Sequence, residues 1–144
     1  MDLKFPLVIK AFFVLFMVDL TVSGPPQPPA CRNGTISEYT RRLIFFFFNL
    51  INNFNLPYDC DLEHRAYAEF HLPDTNHTRL FQRFTYQESR ASRNTFLWKA
   101  FTSWTERIKK MTGLVDFGCH FSQMSSGSRI VCIILNQQFP PHQI

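Results

Sequence analysis

The sequence predicts one small α+β domain, stapled by disulfides: three helices packed on a sheet that ends in a β-hairpin. Three observations carry this. Apolar residues recur at helical spacing near 37–53, 60–70 and 93–111. After Gly113 the pattern changes to β-branched and aromatic runs broken by "SSGS". Four cysteines are present, Cys31, Cys60, Cys119 and Cys132. An even count in a secreted chain of this size implies two bridges, with three connectivities open.

Residues 1–23 read as a secretory signal: Lys4 near the start, the apolar "FPLVIKAFFVLFMV", then small residues before a cut after Ser23. This predicts a secreted, extracellular protein with no membrane contact once the signal is removed. "GPPQPPA", 24–30, is a proline-rich leader. The domain is expected over 31–139, with 140–144 a tail. The formal net charge is +4, and the two acids and two bases of the signal cancel. No polybasic block appears, so nucleic acid is not the expected partner. The sequons at Asn33 and Asn76 predict glycosylated surface loops.

Thr35 or Ser37 can cap the first helix, with Glu38 in its first turn. "RRLIFFFFNLINNF", 41–54, is its most apolar part. It is too short for a membrane span, which needs about 20 mostly apolar residues. Asn49, Asn52 and Asn53 make one polar stripe, with Leu43, Phe47, Leu50, Ile51 and Phe54 away from it. The run is therefore expected in the protein interior, with Phe47 buried.

Pro57 ends this stretch. Asp59 or Asp61 caps a second helix, with Leu62, Ala66 and Phe70 as its apolar stripe. "RLFQRFTYQES" fits a short helix or a strand, with Phe81 and Phe84 in the core and Arg79 and Arg83 solvated. The helix near 93–111 places Leu97, Ala100, Phe101, Trp104 and Ile108 on one face. Gly113 stops it. "LVDFGCHFS", "QMSSGS" and "RIVCIILN" read as strand, turn and strand, and "IVCIIL" suits a central strand. Cys119 and Cys132 on these strands could bridge, leaving Cys31 with Cys60.

No nucleophile stands in a catalytic context, and His64, His71 and His77 read as solvated surface. Phe47, Phe48, Trp98 and Trp104 are the candidates for lining a lipid cavity, although aromatic stripes at helical spacing ordinarily form core.

"CRNGTISEYTRRLIFFFFN", "LPYDCDLEHRAYAEF", "AFTSWTERIKKMTG" and "FGC…RIVCIIL", in this order, resemble the CAP superfamily (SCP/TAPS). The likeness is to nematode activation-associated secreted proteins and their reduced relatives, the ASP-related proteins. "YDCDLEHRA", Tyr58–Ala66, is its most specific part. The resemblance implies an α-β-α sandwich, reduced here to a single domain with a C-terminal hairpin, excretory-secretory in character. It also implies a cleft holding two histidines and two acids that can bind a divalent metal.

This chain departs from that cleft. Phe48 stands at the first histidine position, and no "GEN" segment lies between Leu72 and Ser92. His120 in "CHFSQM" resembles the second histidine, but the same stretch must begin the hairpin, which is the preferred reading. The implied cleft is degenerate, so no catalytic residue, metal or cofactor is expected. The expected function is a secreted, non-catalytic effector that binds an extracellular protein partner, such as a host protein. A secreted lipid or sterol carrier is the alternative.

Overall fold

A computed structural model describes residues 26–73 and 81–136. The signal segment, the Asn76 sequon, Arg79, His77 and the tail lie outside the described residues. Helix α1 spans Glu38–Asn52 and α2 spans Cys60–Ala68. Strand β1 runs over Phe81–Glu88, α3 over Arg93–Lys109, β2 over Leu114–Met124 and β3 over Gly127–Asn136. The described part of the ambiguous stretch, Phe81–Glu88, is therefore a strand. Its residues pair antiparallel with β3 from Phe81↔Leu135 to Glu88↔Ser128.

The helix starts follow local chemistry. Ser37, Asp59 and Ser92 are the N-caps, each accepting a backbone N–H of the first turn: Thr40, Leu62 and Thr95. The sheet order is β1-β3-β2, with β3 central. Alternation along β3 sends Ile130, Cys132 and Ile134 into one apolar cluster and Val131 and Ile133 into another. Helices α1 and α3 cover the first face, and α2 covers the second. The result is the α-β-α sandwich.

Most of the Phe-rich run lies inside, in a different orientation from the one expected. Ile44, Phe45 and Phe48 are buried, Phe47 is half-buried, and Phe46 and Leu50 are exposed. The reason is that Asn49 and Asn52 of the Asn stripe turn inward to close the helix end, while Asn53 stays exposed. Asn49 donates to the Leu56 carbonyl at 3.2 Å and accepts the Leu56 N–H at 2.8 Å. Asn53 takes the left-handed conformation that ends α1.

Arg83 also differs from its expected place in solvent. It is buried and donates to the carbonyls of Glu69, Leu72 and Pro73 at 2.7–2.9 Å. Those carbonyls follow α2, so the guanidinium ties the chain leaving the helix to β1. Phe84 is core as expected.

Disulfides join Cys31 to Cys60 and Cys119 to Cys132. The second pair sits directly opposite in the β2–β3 register. The first ties the segment before α1 to the first residue of α2.

A closed polar centre as candidate functional site

Charged groups enter the interior chiefly where the 31–37 segment, α1, α2 and β2 meet. Glu63, on the inner side of α2, is fully buried. Four hydrogen bonds of 2.6–3.0 Å converge on its carboxylate, with the Thr35 hydroxyl a longer fifth at 3.4 Å. Arg41 Nε donates to Oε2 at 2.7 Å and Arg41 Nη2 to Oε1 at 3.0 Å. The Tyr58 hydroxyl donates to Oε2 at 2.6 Å, and the Thr35 N–H donates to Oε1 at 2.7 Å. Arg41 and Tyr58 are themselves buried. The bidentate fork suits a guanidinium and a carboxylate held in one plane.

Burial alone would raise the Glu63 pKa. The Arg41 and Tyr58 hydrogen bonds and the Thr35 N–H outweigh it and hold the group below its usual value. Burial, with the Glu63 charge beside it, pushes the Tyr58 phenol well above its ordinary range. The centre is thus an ionised carboxylate facing a guanidinium and a neutral phenol. No proton in it is poised near neutrality.

Close packing encloses the centre. A Cβ added to Gly118 would lie 2.6 Å from the Asp59 carbonyl oxygen and 2.7 Å from the Leu62 carbonyl carbon. Helix α2 therefore rests directly on the backbone of β2. Tyr58 bridges to Phe117, and the Asp59 N–H donates to the Phe117 carbonyl at 2.8 Å.

His120 stands beside this centre. It is 7 % exposed, and its Nδ1 lies 2.9 Å from Thr35 Oγ1. Tyr67 and Phe70 meet its ring edge-on, each with centroids 4.9 Å away. Burial holds its pKa below 6.5, with Glu63 opposing and His71 adding to the shift.

Phe48 is elsewhere. It stacks on Phe117 at 4.0 Å and meets Phe101 edge-on. Pairing places His120 opposite Val131, on the α2 face, whereas Phe48 belongs to the cluster under α1 and α3. The two positions that the family pattern assigns to one cleft lie on opposite faces of the sheet. The reason is that His120 belongs to the β2–β3 hairpin. Among the described residues, no three His, Cys, Asp or Glu side chains are grouped to hold a metal.

The other sequence candidates are scattered. Asn33 is exposed, as glycosylation requires, and His64 and His71 are exposed. Phe48 and Trp104 are core side chains, while Phe47 and Trp98 meet at the surface, 6.3 Å between centroids. The four aromatics therefore do not form one lining.

Sequence reasoning missed the Arg41–Glu63 pair. The sequence reading gives neither Arg41 nor Glu63 a structural role. The available signal was Glu63 next to Leu62 in the "DLEHRA" stretch, one position off the apolar stripe.

A family model described as "Ancylostoma-associated secreted protein related" matches residues 31–134. Among solved structures, the chain is similar to manganese-bound Ac-ASP-7. The two are 19% identical over 80% of this chain and 79% of that one, with a TM-score of 0.57. It is similar also to hookworm platelet inhibitor, 16% identical over 75% of each chain, with a TM-score of 0.52. At these identities the likeness is one of fold. No curated protein matches.

Proposed function

The chain belongs to the Ancylostoma-associated secreted protein related family, and on that premise we propose that it is a secreted, non-catalytic effector that binds an extracellular protein partner such as a host protein. One observation carries the reading. The polar centre spends its hydrogen-bonding capacity internally, with Glu63 taken up by Arg41, Tyr58 and Thr35. Catalysis needs an acid, base or nucleophile that can reach a substrate atom, and a carboxylate closed by these donors is structural. The name of one structural neighbour, hookworm platelet inhibitor, supports a role exerted on a partner. Glycosylation at Asn33 and Asn76, and removal of residues 1–23, belong to the same proposal.

The test uses the disulfide-intact chain from a secreting host. Saturable binding to one member of an array of purified ectodomains, read by interferometry, is expected. Calorimetry with zinc is the opposing arm. Stoichiometric micromolar binding that His120→Ala abolishes, accompanied by turnover of a peptide or ester panel, would restore a catalytic reading.

A further inference from the structure

The Glu63 centre is closed on itself, but another polar cluster is open. It lies at the turn end of the sheet, where the β1–α3 loop meets the β2–β3 turn, around a cavity of about 510 Å³. Ser89 and Arg90 of the loop and Gln123, Ser125, Ser126 and Ser128 of the hairpin line it. Among the described residues, none of these six side chains has a hydrogen-bond or ion-pair partner. Close backbone contact forms the floor. A Cβ added to Gly127 would lie 2.6 Å from the Glu88 carbonyl oxygen and 3.0 Å from Ser89 Cα. The loop therefore rests directly on the turn.

Ser128 is the residue that points to a ligand. It pairs with Glu88 on one side and Gln123 on the other. Alternation along β3 sets it on the same face as Ile130, the face that α3 covers. Only 2% of it is exposed, and its hydroxyl bonds to no described residue. A buried polar group without a partner is rare, because it gives up water for nothing. A ligand in the cavity supplies the missing bond.

The charge of the lining selects the kind of ligand. Arg90 is the only ionised side chain in it. Its backbone is left-handed, at φ 63°, which is uncommon for a long side chain. The neighbouring carboxylate, Glu88, is already taken by Lys99 at 2.7 Å and Tyr86 at 3.0 Å. Helix α3 starts two residues after Ala91 of the lining, and its first turn carries no acid, so its positive end is unmatched. A planar guanidinium takes two oxygens of a sulfate or phosphate at once. Serine hydroxyls and the Gln123 amide both donate and accept, as a polyhydroxy ligand requires. We propose that this cavity binds a sulfate or phosphate monoester of a sugar, with Arg90 on the anion and Ser128, Gln123 and the turn serines on the sugar hydroxyls. The volume lies in the range usual for small-molecule sites. This goes beyond the protein-binding reading and uses none of the Glu63 centre.

The test titrates the disulfide-intact, isotope-labelled chain with a glucose sulfate monoester, the matching phosphate monoester, glucose itself and inorganic sulfate, following its amide resonances. The amides of Arg90, Gly127 and Ser128 should shift with the esters and saturate. Tighter binding of the sulfate ester assigns the source to sulfated glycans, and tighter binding of the phosphate ester assigns it to phosphorylated sugars. Arg90→Gln should weaken ester binding about tenfold or more, the loss expected of a charge-assisted contact. Ser128→Ala should weaken it about threefold to tenfold, as for a neutral hydrogen bond. Both variants should leave the remaining resonances in place, since Arg90 is exposed and the Ser128 hydroxyl holds no other described residue. No saturable shift with either ester overturns the proposal. So does undiminished ester binding by either variant. Glucose binding as tightly as its esters overturns it too, because Arg90 would then be idle. Inorganic sulfate binding as tightly as the sulfate ester does the same, because the hydroxyls would contribute nothing.

Discussion

The two faces of the sheet are held by different physics. Under α1 and α3 the interior is aromatic, with Phe48 between Phe117 and Phe101 and Trp104 against Phe84 and Phe101. Beneath α2 the apolar cluster is small, and the 31–37 segment, α1 and α2 are joined by the Arg41–Glu63–Tyr58 centre and the Cys31–Cys60 bridge. Dispersion and burial are non-directional, so the aromatic side should tolerate apolar replacements of similar volume. A buried ion pair is directional and costly to desolvate, so the polar side should tolerate neither partner's loss. The first side supplies bulk stability. The second fixes how the N-terminal segment sits on the sandwich.

The largest expected losses test one residue on each side. Glu63→Ala leaves Arg41 buried without its carboxylate and should cost about 3–5 kcal/mol in urea unfolding. Phe48→Ala opens the aromatic side and should also cost about 3–5 kcal/mol. Volume-conserving replacement separates them. Phe48→Leu should recover much of its loss. Glu63→Leu should recover little, because the buried guanidinium keeps only the Ile36 carbonyl and its charge goes uncompensated. Equal recovery on both sides would erase the distinction. Phe47→Ala, at a half-buried position, should cost only about 1 kcal/mol, against the larger loss that burial at that position would predict.

A smaller effect comes from pH. His120 is held below 6.5 by its burial. The unfolded chain therefore takes up a proton first as pH falls through that value, and stability drops from there toward the folded pKa. Glu63 is held below 4.5, so its contribution is full above that value and is lost as pH falls below it. Denaturation midpoints measured across this range should show both steps. His120→Gln should remove only the upper one. If the upper step persists, another group is titrating.

The smallest expected effect is at the surface. Arg42 and Glu38 form an exposed pair one helical turn apart. Arg42→Ala should cost about 0.3–0.5 kcal/mol and less in high salt. A loss as large as that of Glu63→Ala would mean that exposed charge contributes as much as the buried centre.

Local chemistry in the sequence determined the elements. Ser37, Asp59 and Ser92 can accept first-turn N–H groups whatever lies nearby. The stripe Leu97, Ala100, Phe101, Trp104 and Ile108 allows one buried side. "IVCIIL" is apolar at every position and so needs cover on both faces. The cysteines followed, because Cys119 and Cys132 lie on adjacent strands of one hairpin. The family was legible from "YDCDLEHRA" and the order of its neighbours. The site and its orientation were not legible. A Phe run that is apolar all round does not say which side turns inward. The tertiary structure decided that, once Asn49 was needed to close the chain at Leu56. Arg83 reads as a solvated charge in sequence, and nothing there marks Glu63 as buried. They are buried because partners distant in the chain satisfy them: the carbonyls of Glu69, Leu72 and Pro73 for one, and Arg41, Tyr58 and Thr35 for the other. Phe48 and His120 share a family cleft in sequence pattern, but strand alternation sends them to opposite faces. Spacing along a chain reports which side of its own element a residue occupies. Which surface meets that side depends on contacts between elements.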